Sequence, residues 1–147
     1  MFASALPDPD RHAAFYAGVP AKRAMAWLVD TALAFLLTAI VVVLTFFVGL
    51  FVLIPLYLAI SFALRTASLA AWSATPGMAL LGIELRAADG RRLSPLLAAL
   101  HTGAFLLCAA FILPQLASMF LMLTAPRGQG LPDILLGTAA INRPAQN

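Results

Sequence analysis

Long apolar runs separated by short polar segments dominate the chain. Between residues 24 and 64 the only charged residue is Asp30. A single helix over this run would be roughly 61 Å long, about twice the thickness of the hydrocarbon core of a bilayer. The run therefore predicts a tight hairpin of two helices, near residues 24–45 and 50–71, with the break at residues 45–49.

A second apolar run covers residues 95–125 and contains no charged residue. It is too long for one membrane span and too short for two full spans. Pro114 removes a helical hydrogen bond and favours a break just before it, which predicts segments at 96–113 and 114–125. These segments form either one long kinked helix or a hairpin of a span and a shorter, re-entrant helix.

The segment between the two runs, residues 72–94, is polar and contains several glycine and charged residues. Residues 81–86 alternate apolar and polar positions after a glycine, a pattern that predicts a short strand. A similar Leu-Leu-Gly sequence at residues 135–137 is also followed by a strand-like stretch, and the two strands could pair only on the same side of the membrane. We expect Glu84 and Asp89 to be solvated loop charges.

The basic residues indicate the topology. Those that flank the first hairpin and fill the loop lie on one side of the membrane if residues 24–71 form a hairpin. Placing Arg127 and Arg143 on that same side requires an even number of crossings. The predicted fold is an all-α polytopic membrane protein with a helical hairpin, a second hairpin or broken helix, and a small cytoplasmic β element. Four membrane helices are favoured and three are the alternative.

This topology divides the chain into three parts. Residues 1–21 form a cytoplasmic N-terminal tail, which its prolines and polar residues predict to be flexible. Residues 22–142 form the membrane domain, which includes the cytoplasmic loop, and residues 143–147 form a C-terminal tail. The N-terminus lacks a basic segment leading into a short apolar core, so we expect no cleaved signal peptide.

Composition supports a membrane location. Of the 147 residues, 63% are hydrophobic and 10% are charged, with a mean hydropathy of +0.97, whereas a soluble domain carries about 25% charged residues. The formal net charge is +3, and the basic residues flank apolar runs, which favours contact with anionic lipids over nucleic acid. The single cysteine excludes an internal disulfide and a cysteine-based zinc cluster.

Sequence motifs for enzymatic chemistry are missing. The chain has no P-loop, dinucleotide-binding glycine pattern, zinc-protease motif or haem-attachment motif. We therefore expect no enzymatic activity, no metal and no cofactor.

Asp30 is the most informative polar residue, because it lies about 9 Å inside the first apolar run. A carboxylate at that depth costs about 2.5–3.5 kcal/mol on insertion scales, so it should face the bundle interior and have a partner. Arg23 lies two helical turns earlier on the same face and could reach toward it. Arg65 lies at a similar depth on the second helix, and we predict an Asp30–Arg65 contact in the membrane. Asp30 is either a proton or cation site or half of a structural ion pair.

Two further residues carry polar chemistry near the second apolar run. His101 is expected to be an interfacial or hydrogen-bonded histidine, with a switch or ligand role as the alternative. Asp133 precedes a short apolar stretch and is expected to cap a short helix or brace a loop, with membership of a polar site as the alternative. The candidate ligand, ion or structural polar site thus comprises Arg23, Asp30, Arg65 and Asp133.

Residues 16–30 resemble the opening of the RDD family of bacterial membrane proteins, which is named for an arginine at the start of its first helix and two aspartates. Arg23 and Asp30 match the arginine and the first aspartate. Residues 75–83 resemble the Thr-x-Gly-Lys-x-x-x-Gly loop of that family. Asp133, together with Leu136-Gly137-Thr138, is similar to the closing motif that carries the second aspartate.

The chain departs from the family pattern at three positions. Met78 stands where the loop lysine is usual, Pro132 where a histidine usually precedes the aspartate, and His101 where an arginine is common. These departures affect a site that needs a loop lysine or a His–Asp pair, and they leave the Arg23–Asp30 element intact.

The resemblance implies a small multi-pass protein of the bacterial inner membrane. Its lead function is transport of a small ligand or ion, with cation–proton exchange as one suggestion, through an intramembrane carboxylate. The alternative is a non-transporting accessory subunit, assembly factor or scaffold. A transporter of this size is expected to act as a homo-oligomer or in a membrane complex.

Overall fold

The computed structural model describes residues 5–144, which are mostly helical. Six helices and two strands follow one another along the chain, with short 3₁₀ helices at Ala13–Phe15 and Val48–Val52. The elements are α1 (Val19–Leu44), α2 (Leu53–Trp72), α3 (Pro76–Leu80), β1 (Ile83–Ala87), α4 (Pro95–Ala110), α5 (Ile112–Thr124), α6 (Leu131–Leu136) and β2 (Thr138–Asn142).

The long helices bury small and polar residues and expose large apolar ones. In α1 the buried residues recur every three or four positions, so they form one stripe along the helix. That stripe is Val19, Arg23, Ala26, Asp30, Ala34, Thr38 and Val42. The opposite faces carry exposed leucine, phenylalanine and valine side chains, an arrangement suited to lipid rather than water.

The predicted hairpin between the first two helices is present. Helix α1 ends at Leu44, and the chain turns through Phe46 and Phe47, whose φ angles are 49° and 65°. These left-handed conformations are uncommon for bulky residues, and here they reverse the chain within a few residues. Pro55 is the third residue of α2, where its missing N–H would have no intrahelical partner.

The second apolar run breaks at Phe111, not directly before Pro114 as predicted. Helices α4 and α5 meet there at 116°. Pro114 is the third residue of α5, a position at which a proline needs no hydrogen-bond donor. The proline therefore lies inside the start of the new helix, and the break falls before that helix begins.

Two segments are each long and apolar enough to cross a membrane, Ala13–Leu44 and Val48–Trp72. The bent pair α4–α5 makes a third candidate if it is taken as one span. The described residues thus contain two to three candidate spans.

The predicted β element is a two-stranded antiparallel sheet of β1 and β2, in which Ile83 pairs with Asn142 and Ala87 with Thr138. The prediction that Glu84 is solvated was wrong. Its side chain is 3% exposed and forms ion pairs with Arg86 and Arg143. The reason is that β2 pairs with β1, and Arg143, the residue after β2, therefore lies beside the carboxylate.

The described part of the N-terminal segment packs against this sheet, whereas the sequence predicted a flexible tail. Leu6 and Tyr16 form a buried apolar cluster with Ala139 and Ile141 of β2. The Tyr16 hydroxyl donates a hydrogen bond to the Pro7 carbonyl oxygen at 2.8 Å. The apolar side chains in this otherwise polar segment account for its docking; residues 1–4 and 145–147 of the two predicted tails lie outside the described residues.

Candidate functional site

The loop after α2 places a backbone N–H against Asp30. Thr75 caps α3 because its hydroxyl accepts a hydrogen bond from the Met78 N–H at 3.2 Å. Gly77 then lies so close to α1 that a Cβ atom would stand 2.3 Å from the Ala26 carbonyl oxygen. This contact lets the Gly77 N–H donate to Asp30 Oδ1 at 2.8 Å. The Thr-x-Gly pattern is therefore explained by capping and by close packing of α3 on α1.

Asp30 also pairs with Arg65, as the sequence predicted. Asp30 Oδ2 lies 3.5 Å from Arg65 Nη1, and the two side chains are 1% and 9% exposed. The Nε of Arg65 donates to the Ser61 hydroxyl at 3.4 Å, and its guanidinium lies 4.7 Å over the ring of Phe105. Arg65 is thus held between its own helix, α1 and α4.

Arg23 does not reach Asp30; it pairs with Asp133 instead. Arg23 Nη1 lies 2.5 Å from Asp133 Oδ2, and both side chains are buried. The same oxygen accepts the Gly130 N–H at 2.9 Å, so Asp133 caps α6 as predicted. Its other oxygen, Oδ1, contacts His101 Nε2 at 2.8 Å and the Thr138 hydroxyl at 3.1 Å.

Asp133 therefore joins α1, α4, α6 and the start of β2. Burial on its own would raise the pKa of Asp133, but the charge of Arg23 and the hydrogen bond from His101 outweigh it and hold the pKa well below its usual range. The carboxylate is ionised at neutral pH and can only accept hydrogen bonds, so His101 Nε2 carries the proton that it donates. Four partners satisfy Asp133 and make it a structural junction.

A cavity of about 440 Å³ lies beside the Asp30–Arg65 pair. Its polar lining includes Arg23, Asp30, Arg65, His101 and Thr102. Most of the remaining wall is apolar and includes methionine and aromatic side chains from α1, α3, α4 and α5. A concave, mainly apolar pocket with a few polar groups is the usual form of a small-molecule site.

The Thr102 hydroxyl stands out in this lining. Thr102 is 1% exposed, and its Oγ1 has no hydrogen-bond partner among residues 5–144. An unpaired buried hydroxyl is costly, and such groups are rare in native structures. Sequence reasoning did not single out Thr102, because a threonine in an apolar helix ordinarily bonds to a carbonyl of the preceding turn.

The structure divides the four candidate residues into two ion pairs. Asp30 and Arg65 form one pair beside the cavity, and Arg23 and Asp133 form the other between α1 and α6. Sequence reasoning missed the partnership of Arg23 with Asp133 and of His101 with Asp133. The available signal in the sequence was that Arg23 and Asp133 both belong to motifs that resemble the same family. In the part of the chain that the structure describes, no group of three or more His, Cys, Asp or Glu residues is placed to hold a metal ion.

Comparison with known proteins gives a family match. Curated proteins and solved structures gave no match. A family match covers residues 17–137, which include both ion pairs, the Thr75–Gly77 loop and the bent helix pair. The chain, an apolar helical protein of membrane type, belongs to the RDD family.

Proposed function

We propose that this RDD protein is a multi-pass transporter of the bacterial inner membrane that moves a small ligand or ion through the cavity beside Asp30 and Arg65. The observation that carries the proposal is the cavity of about 440 Å³, lined by a carboxylate and two guanidinium groups within helices whose outer faces are apolar. Ionisable groups are expensive inside a membrane domain, and those that face a cavity commonly mark a substrate or ion path.

The Asp30–Arg65 pair is the part of the site that can change partners. Asp30 Oδ2 and Arg65 Nη1 are 3.5 Å apart and the pair borders the cavity. Asp133, in contrast, is held by four partners and is fully buried. When a ligand group displaces Asp30 from Arg65, the carboxylate is left buried without its countercharge, which is strongly unfavourable. Uptake of a proton by Asp30 removes that charge and couples ligand movement to protons.

The pairing of β1 with β2 supports an even number of crossings. Helices α4 and α5 lie between the two strands in sequence, and the strands are hydrogen-bonded to each other. This pairing favours a chain that leaves and returns to the same side of the membrane. We take α4 and α5 as a second, shallower hairpin, which gives four membrane helices with the sheet and the N-terminus in the cytoplasm, where basic residues are favoured.

The proposed partners follow from size and charge. One protomer contributes two full-length candidate spans and one shallower bent helix pair, so a continuous path across the membrane would need a homo-oligomer or a larger membrane complex. The basic loop residues would contact anionic lipids at the cytoplasmic surface. We propose no nucleic-acid partner, no cofactor and no enzymatic activity for this protein.

Transport is tested with purified protein in liposomes that contain a pH-sensitive dye. Sodium, potassium and small organic anions are added outside, one at a time, to wild type and Asp30→Asn at matched protein levels. We expect at least one solute to drive proton movement in wild type, and we expect Asp30→Asn to abolish it. Protein that is folded and present but moves no protons with any solute would overturn the transport proposal for those solutes.

A competing function is that of a non-transporting membrane module, such as an accessory subunit, assembly factor or scaffold. The observation in its favour is that both buried aspartates of the site are already paired, because Asp30 and Asp133 each contact an arginine. This function predicts that a larger complex co-purifies in mild detergent. It also predicts that Asp30→Asn lowers the protein level or the yield of that complex, without any flux to lose.

A further inference from the structure

We infer that the cavity binds a single-chain amphipathic monoanion of the carboxylate or sulfonate class, with its anionic group on Arg65 and Thr102. This inference rests on the proposed function and specifies its substrate class. It differs from cation–proton exchange, because the ligand bears the opposite charge.

The wall of the cavity fits an apolar ligand body. Ligand sites commonly measure about 300–1,000 Å³, and this one measures about 440 Å³. Met78, Met119 and Met122 line it together with Trp27 and Phe105. Methionine side chains are flexible and polarisable, so three of them can adapt to an alkyl chain.

The polar groups of the cavity leave hydrogen-bond donors without strong acceptors. Arg65 contacts Asp30 at 3.5 Å and Ser61 at 3.4 Å, whereas charge-assisted hydrogen bonds are typically about 2.7–2.9 Å long. On the acceptor side, Asp30 Oδ1 already receives the Gly77 N–H at 2.8 Å, and Asp30 Oδ2 faces Arg65 at 3.5 Å. The five N–H donors of Arg65 and the hydroxyl of Thr102 outnumber that one carboxylate oxygen. The missing component is therefore an acceptor, and an anionic group supplies two or three acceptor oxygens.

Arg65 and Thr102 lie near each other in the fold. The guanidinium of Arg65 lies over Phe105, and Thr102 is three residues before Phe105 on α4, so the two α4 side chains share a helix face. The unpartnered hydroxyl of Thr102 can donate to the same anionic group that Arg65 binds. A cationic headgroup could approach Asp30, but it would also face Arg65 and would leave the hydroxyl donor of Thr102 unused.

The binding test uses three probes with the same alkyl chain: octanesulfonate, octyltrimethylammonium and octanol. Thermal unfolding of the full chain is measured in phosphatidylcholine nanodiscs with each probe in turn. We expect octanesulfonate to raise the unfolding midpoint and to do so in a saturable manner, because a ligand that binds only the folded state stabilises it. An equal effect of all three probes, or a larger effect of the cation, would overturn the inference.

Two threonine substitutions locate the headgroup. Thr102→Val removes a hydroxyl that makes no internal hydrogen bond, so the protein should fold as well as wild type or better. We expect this variant to weaken octanesulfonate binding by about tenfold, since it loses a hydrogen bond to a charged group. Thr66→Val is the matched control, because the Thr66 hydroxyl is also buried without a partner but Thr66 is not among the residues lining the cavity. Equal binding by Thr102→Val and wild type would contradict the assignment.

Parallel nanodiscs separate a free amphiphile from a membrane lipid with the same headgroup charge. The octanesulfonate effect should be equal in phosphatidylcholine and phosphatidylglycerol nanodiscs. An effect that phosphatidylglycerol abolishes would mean that a lipid headgroup occupies Arg65, which would overturn the single-chain assignment. Binding without flux would leave the substrate class standing and would refute transport, so the two failures are distinguishable.

Discussion

A methyl group added at Gly77 tests the contact on which the Asp30 site is built. The Cβ atom of Gly77→Ala would lie 2.3 Å from the Ala26 carbonyl oxygen and 2.8 Å from the Ala26 Cα atom. Both are backbone atoms of α1 and cannot rotate away. Ordinary contact distances begin near 3.4 Å, so α3 must move away from α1 by roughly 1 Å.

The displacement breaks the hydrogen bond that α3 donates to Asp30. The Gly77 N–H lies 2.8 Å from Asp30 Oδ1, and a shift of about 1 Å takes it beyond hydrogen-bonding distance. Overpacking costs about 1–3 kcal/mol, and a buried acceptor without its donor costs about 1–3 kcal/mol. We expect Gly77→Ala to lower the free energy of unfolding by roughly 2–6 kcal/mol.

Denaturant-induced unfolding in mixed micelles measures this change, and the protein level in membranes provides a second readout. Gly103→Ala is the matched control, because a Cβ atom at Gly103 would meet no atom within 4 Å and the residue lies inside α4. The control should be neutral or more stable by up to about 1 kcal/mol. A Gly77→Ala variant that unfolds within about 0.5 kcal/mol of wild type would refute the packing argument.

Three further predictions concern the acidic residues outside the cavity. Asp133→Asn leaves the buried Arg23 without its countercharge and should lower the free energy of unfolding by about 3–5 kcal/mol, as measured by the same denaturant titration. Because the folded-state pKa of Asp133 is lowered, the unfolded chain takes up the proton first, so the contribution of this residue is constant from pH 8 to about 5 and is lost as the pH falls below about 4. The difference in the free energy of unfolding between wild type and Asp133→Asn, measured across that pH range, gives this contribution. A loss of the contribution with a midpoint near neutral pH would contradict the prediction. Glu84→Gln should cost about 1–3 kcal/mol because it weakens the ion pairs with Arg86 and Arg143. Asp89 is exposed, so Asp89→Asn serves as the control and should stay within about 0.5 kcal/mol of wild type. Equal losses of stability in Glu84→Gln and Asp89→Asn would contradict this prediction.

The elements that follow from local pattern were predicted from the sequence. An apolar run about twice as long as a span had to fold into a hairpin, and the break at residues 45–49 coincides with the turn through Phe46 and Phe47. A buried carboxylate and a buried guanidinium at similar depths on adjacent helices were expected to pair, and Asp30 and Arg65 do so. Both conclusions need only helix geometry and the cost of charge in an apolar medium.

The features that depend on distant packing were not predictable. From the sequence, Glu84 looks like a solvated loop charge. In the fold, β2, more than fifty residues later, pairs with β1, and Arg143 directly after β2 forms an ion pair with Glu84. The partner of Arg23 could not be chosen by spacing, because Asp133 reaches α1 only through the bend at Phe111 and the turn before α6. Thr102 carries no sequence signal, since only the surrounding packing leaves its hydroxyl without a partner.

We propose that the Asp30–Arg65 pair moves ligand, whereas the Arg23–Asp133 pair stabilises the fold. The most direct measurement is proton movement per folded protein in liposomes carrying Asp30→Asn, driven by the solute gradient that is effective in wild type. Asp30 has two polar partners, Gly77 at 2.8 Å and Arg65 at 3.5 Å, whereas Asp133 has four partners within 3.1 Å. We therefore expect a smaller loss of stability than in Asp133→Asn, together with proton movement reduced to background. Wild-type proton movement, combined with a loss of stability as large as that of Asp133→Asn, would contradict this role and show that Asp30 is structural.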